Sequence, residues 1–365
     1  MYAYTVSSAI SRYLNSVSSI KQAMPDRQIP WVIAKERYVM KKVLFSVALA
    51  VLIPAALISC RKSSSGGQGD GPRVAYSSVG DPNPWFLAFS AELEKEAKKR
   101  GFNFRVTHAQ ARLEKQIADV EDIVALKPDY LILGPIDREG SADALRIAKK
   151  ADVPVIVVNR DIKGVVGEDY VTKIYSDFEW IGQRMAEAVH DAFPADTKEI
   201  RVVELHGTPG GGNTIGMSKG LRNKMEDYPK MKIVASQLGD FNRATAMKAM
   251  ENIIQSGVKF DAIVGHFDEE AIGAIQALMA AGRVAGTDHA RGEIIVVGNG
   301  GTEDGLRAVQ AGHYHTIVSV TPYYADQVFD AIEAHAKGEK LPGYIRVEDI
   351  VIDKDNVAEH MASGF

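Results

Sequence analysis

Gly207-Thr208-Pro209-Gly210-Gly211-Gly212-Asn213-Thr214 is the run in this sequence that comes nearest to a phosphate-binding loop. Such a loop cradles phosphates on backbone N–H groups and clamps them with a lysine. Asn213 stands in the lysine's place, so the clamping charge is missing. What remains is backbone without side chains, suited to close approach of a ligand or of another lobe. Gly216-Met217-Ser218-Lys219-Gly220 has the G-x-S-x-G spacing of a nucleophile elbow, but that serine must sit on the turn directly after a strand. Ser218 falls well past Leu205, inside a stretch that reads as helix. His313 and His315 alternate on one strand face, and His206, His266 and His289 are scattered, with no carboxylate or cysteine at metal-ligand spacing. No catalytic constellation, metal site or cofactor site emerges, and the chain reads as a non-enzyme.

A different chemistry comes from the residues that follow the strands. They include Trp85, Phe86, Gln110, Asn159, Arg160, Asn213, Asn242, Phe267, Asp268 and Asn299. Planar amide, carboxylate and guanidinium groups bind paired hydroxyls with two hydrogen bonds each. Aromatic faces cover the C–H surface of a sugar or a ring ligand. Polar residues also gather at strand ends to serve turns and caps, so the case for binding rests on the set and not on any one member.

The elements that must position these residues alternate regularly. Strands are predicted over 73–77, 103–108, 130–133 and 155–158, with helices over 85–100, 113–126 and 142–150 between them. The pattern then restarts. Helices over 177–193, 213–228, 243–256, 269–281 and 303–311 alternate with strands over 200–206, 233–238, 262–264, 294–297 and 316–320. Continuous apolar strands such as Val155-Ile156-Val157-Val158 fit a parallel sheet covered on both faces. The fold class is therefore α/β, with two doubly wound parallel-sheet lobes. In open sheets of this kind ligands bind beyond the carboxyl ends of the strands.

The chain has 365 residues and a formal net charge of −4, room for two domains and no basic face for nucleic acid. Its single cysteine, Cys60, excludes an internal disulfide. Met40-Lys41-Lys42, the apolar run 43–58 and Leu57-Ile58-Ser59-Cys60 make an export signal ending in a lipobox-like cut site. Residues 40–59 are expected to be a lipoprotein signal peptide, and Cys60 the lipidated residue that ties the protein to the cell envelope, facing the periplasm or the outer surface. Residues 1–39 read as an upstream extension ahead of the true start. The Ser/Gly-rich stretch 60–72 reads as a flexible tether.

Several short motifs then add up. Ser77-Ser78-Val79-Gly80 precedes Trp85; Gln110 precedes Gln116-Ile117; Asn159-Arg160 follows the fourth strand. Val203-Glu204-Leu205-His206-Gly207-Thr208, Gly239-Asp240-Phe241-Asn242-Arg243 and His266-Phe267-Asp268 come next. In this order and spacing, residues 73 to about 352 resemble the type I periplasmic binding proteins of the ribose/galactose group, with the galactofuranose-binding branch the nearest likeness. The resemblance implies a small polar ligand, a monosaccharide first of all, captured by hinge closure for an ABC permease and its ATPase. It implies a monomer that works without nucleic acid or cofactor. Sensing for a chemoreceptor or histidine kinase, or carriage of a less polar molecule, are the alternatives. Hinge crossings are expected near Ser176-Asp177, Thr321-Pro322 and Leu341-Gly343. That places 73–176 and 322–342 in the N-terminal lobe and 177–321 and 343–365 in the C-terminal lobe. The sequence departs from the branch where Phe86, Met217, Phe267 and Gly300 replace polar side chains. Arg222 and Asn299 stand near enough to serve for two of them.

Overall fold

The computed structural model describes residues 71–80 and 83–365. The upstream extension, the signal peptide, Cys60 and most of the tether lie outside the described residues.

The first lobe begins with β1 (Arg73–Ser78), α1 (Pro84–Arg100) and β2 (Asn103–His108). Asn83 starts α1 by accepting from the Trp85 N–H, Pro84 occupies the first turn, and Gly101 ends the helix at φ 79°. Then come α2 (Leu113–Ala125), β3 (Tyr130–Leu133), α3 (Ala142–Lys150), β4 (Val155–Val158) and β5 (Thr172–Tyr175). The second lobe continues with α4 (Phe178–Asp191), β6 (Ile200–His206), α5 (Gly212–Met225), β7 (Met231–Leu238), α6 (Arg243–Gln255), β8 (Ala262–Gly265) and α7 (Asp268–Ala280). It is completed by β9 (Ala285–Gly286), β10 (Ile294–Gly300), α8 (Glu303–Gln310) and β11 (Thr316–Ser319). The chain ends with α9 (Ala325–Ala336), β12 (Tyr344–Arg346), β13 (Val351–Asp353) and α10 (Val357–His360).

The two sheets run β12-β5-β4-β3-β1-β2 and β13-β11-β10-β8-β6-β7. Neighbours are parallel throughout, except that β13 is antiparallel to β11. The central strands β3, β4, β8 and β11 are buried along their whole length, as their unbroken apolar runs require. Four short strands escape a reading of the sequence: β5, β9, β12 and β13. Each has two to four residues and no apolar run, and each forms by pairing with a longer-range neighbour in the sheet.

Three segments join the lobes. The first crosses at Ser176-Asp177, between β5 and α4, and the second between β11 and α9. Helix α9 returns to the first lobe, where Phe329 meets Phe102 at 5.0 Å and Tyr324 meets Phe89 at 4.7 Å. The third crossing lies later than the sequence suggests. Tyr344–Arg346 pairs with β5 in the first sheet, so the chain crosses over residues 347–350 and not near Leu341-Gly343. The reason is edge pairing: β5 leaves an open edge, and the next extended segment fills it. The crossings are tied together. The Val347 N–H donates to the Tyr175 carbonyl at 2.8 Å, the Ser319 N–H to the Ile350 carbonyl at 2.7 Å, and the Ser176 hydroxyl to the Asp349 carboxylate at 3.2 Å.

Candidate functional site

A cleft opens between the lobes at the carboxyl ends of both sheets. It is lined from the first lobe by Asn83, Trp85, Phe86, Asn159 and Arg160. Asn213, Phe241, Phe267 and Asn299 line it from the second, and Phe178 and Val320 from the crossings. These residues lie far apart in sequence and meet because each lies at or beyond the carboxyl end of a strand.

The aromatic wall is held from behind. The Trp85 indole N–H donates to the Val320 carbonyl at 3.1 Å, and its ring stacks on Phe89 at 5.0 Å. Phe86 stands edge-on to Trp85 at 5.2 Å. Across the cleft, Phe241 and Phe267 meet edge to face at 6.4 Å. The Arg160 guanidinium lies 5.1 Å from the Phe86 ring and 5.6 Å from the Phe241 ring, so it faces one aromatic from each lobe. It also donates to the Ile136 carbonyl at 3.3 Å.

Four amides supply the remaining polarity. Asn299 donates to the Val318 carbonyl at 3.1 Å, and Asn83 is spent in part on the helix cap. Asn159 sits at φ 66°, a left-handed conformation that Asn tolerates better than most residues. The side-chain oxygens of Asn159 and Asn213 are buried, come from opposite lobes, and have no hydrogen-bond partner among the described residues. A buried amide oxygen without a partner costs free energy until something donates to it.

Of the ten residues singled out in the sequence, Trp85, Phe86, Asn159, Arg160, Asn213, Phe267 and Asn299 line the cleft. Gln110 does not: it is exposed on a left-handed turn at φ 56°. Asn242 caps α6, accepting from the Thr245 N–H at 3.0 Å. Asp268 is wholly buried and accepts from the Gly301 N–H, the Thr302 N–H and the Thr302 hydroxyl, at 2.8, 2.7 and 2.8 Å. Burial pushes its carboxyl up to about 6 against those bonds. All three answer the demands of turns and caps that strand ends impose.

Phe178 and Val320 are cleft residues that sequence reasoning missed, while Asn83 and Phe241 fall in strand-end stretches it marked without singling them out. The Gly239-to-Arg243 motif pointed to the right loop, but its aromatic and not its amide enters the cleft. The departures sort themselves likewise. Met217 is fully buried away from the lining, and Gly300, at φ 148°, leaves no room for a side chain beside Asp268. Only Phe86 and Phe267 make the cleft more apolar. Arg222 is held by Glu204 at 2.6 and 2.9 Å, while Asn299 does reach the cleft. Ser218 lies within α5 and donates to the same Glu204 at 2.8 Å.

Comparison with known proteins agrees with this geometry. The family model for the periplasmic binding protein domain matches residues 74–340. The chain is 32% identical over 276 residues to the galactofuranose-binding protein YtfQ of Escherichia coli, covering 74% of this chain and 83% of that one. It is 30% identical to the ribose import binding protein RbsB of Bacillus subtilis over 240 residues, 66% of this chain and 73% of the other. The solved periplasmic binding component of the arabinose ABC transporter from Shewanella sp. ANA-3, bound to α- and β-L-arabinofuranose, superposes with a TM-score of 0.73 at 32% identity. That match covers 80% of this chain and 94% of that one. The chain therefore belongs to the periplasmic binding protein family of type I fold, as a solute-binding protein and not an enzyme.

Proposed function

We propose that the cleft captures a monosaccharide and that the closed, loaded form delivers it to an ABC permease and its ATPase. One observation carries the reading: the unpartnered buried amide oxygens of Asn159 and Asn213, one from each lobe, sit among five aromatic rings. Amides present donors and acceptors together, which suits hydroxyls that do both. Rings above and below suit the C–H faces of a furanose or pyranose. The described lining holds Arg160 and no carboxylate, which disfavours a cationic ligand. A ligand bonded to both lobes stabilises the closed form over the open one, and that difference drives closure. The sugar-binding relatives support the same class.

The test is calorimetric titration of the purified protein with D-ribose, L-arabinose, D-galactose, xylitol and myo-inositol. Binding of at least one, with a raised melting temperature, is expected. A stabilising response to nucleosides or aromatic compounds alone would remove the sugar reading.

Lipid anchoring through Cys60 belongs to the same proposal and rests on the Leu57-Ile58-Ser59-Cys60 motif alone. Intact mass of the mature protein should show an acylated amino-terminal cysteine. Unchanged membrane association of a Cys60→Ser variant would refute it. We take the working unit to be a monomer, to be checked by light scattering.

A further inference from the structure

The glycine run after β6 touches the opposite lobe away from the ligand cleft. The Arg138 N–H, on the loop after β3, donates to the Gly210 carbonyl at 3.1 Å. Gly210 stands at φ 81°, and a side chain there would strike the Asp137 carboxylate. Gly212 opens α5 and lies flat against Asp161. A Cβ at Gly212 would stand 2.6 Å from the Asp161 amide nitrogen, 2.8 Å from its Cβ and 2.9 Å from its carbonyl oxygen. Two of those three atoms are backbone, which cannot swing aside. Asp161 is also fixed from its own lobe, by Arg138 Nε at 2.9 Å and Lys173 Nζ at 2.8 Å. None of Asp137, Arg138, Asp161, Gly210 and Gly212 lines the cleft, although Asn213, the next residue, does.

We infer that Gly210 to Gly212 form a closing latch: a surface without side chains that receives the 137–138 and 161 loops of the first lobe only when the lobes meet. The inference rests on hinge closure as the mode of binding. Ligand affinity measured from the open state is the intrinsic affinity reduced by the fraction in the closed form. The latch raises that fraction with no contact to ligand. It also gives the phosphate-loop-like run a role that needs no phosphate: its glycines serve approach of backbone to backbone.

Gly212→Ala isolates the effect. Gly212 is a helical residue outside the left-handed region, so alanine is locally favourable in α5 and harmful only against Asp161. The first readout is hydrogen exchange of the Arg138 amide in the ligand-free full-length protein. Exchange is expected to be at least about tenfold faster in the variant, because the bond to Gly210 forms only in the closed arrangement. Equal exchange in the two proteins overturns the latch. The second readout is affinity for L-arabinose, D-ribose or D-galactose, whichever the wild type binds. It is expected to weaken by about tenfold or more. Unchanged affinity also overturns the latch. Should the wild type bind none of these sugars, the sugar assignment fails while the exchange comparison still decides the latch.

Discussion

The backbone N–H of Phe241 donates to Oε1 of Glu270 at 2.7 Å, and this bond sets the place of an aromatic ring in the cleft. Phe241 is at φ 52° and Asp240 at φ 58°, left-handed positions that bulky residues rarely take. The ring lies over Gly207, where any side chain would collide with it. Glu270 is fully buried, and burial raises its carboxyl well above the ordinary range despite the bond from Phe241.

Replacing Glu270 by alanine should leave the Phe241 N–H buried and unpaired, costing about 1–3 kcal/mol of stability. Glu270→Gln keeps an acceptor oxygen and should retain most of both stability and sugar affinity. Thermal melting and calorimetry on the two variants check this. Equal ligand affinity in the Ala variant and the wild type would show that Phe241 needs no such support.

Asn213→Ala should weaken sugar binding by about 1 kcal/mol, roughly fivefold. The melting temperature of the ligand-free protein should hold, because its side-chain oxygen has no partner among the described residues to lose. A fall in melting temperature with unchanged affinity would assign Asn213 to the framework instead.

Trp85 lines the cleft while Trp180, on α4, does not. Sugar binding should therefore change the intrinsic fluorescence, and the change should vanish in Trp85→Phe but persist in Trp180→Phe. Persistence in Trp85→Phe would contradict the cleft described above.

Asp349 links pH to stability at the crossings. It is buried where the segments meet, with Ser176, Thr321, Arg346 and Asp177 as its polar surroundings. Burial pushes its carboxyl up to about 7, outweighing the Ser176 and Thr321 hydrogen bonds and the Arg346 charge. An acid raised in the folded state binds its proton more tightly there than in the unfolded chain. Its contribution is complete below the unfolded value of 3.8 and is lost as pH rises through about 7. The melting temperature should therefore fall less between about pH 5 and about pH 8 in Asp349→Asn than in the wild type. Identical falls in both proteins would place the charge in contact with water.

Much of this protein is determined by sequence alone. Apolar runs such as Val155-Ile156-Val157-Val158 can be satisfied only inside a sheet covered on both faces, and their alternation with amphipathic stretches dictates two parallel lobes. Seven cleft residues were legible for the same reason, since strand ends in such sheets converge on one edge. Tertiary structure alone decided the rest. Tyr344–Arg346 carries no strand signal and joins the first sheet because β5 offers an edge. Asn242 carries the same amide as Asn159 and Asn213, yet it is consumed by a helix cap while those two line the cleft. Phe241 enters the site only through a left-handed bend pinned by Glu270 from a different helix. Local sequence marks which groups can bind; which remain unpaired is settled by partners distant in the chain, and only the folded structure brings those together.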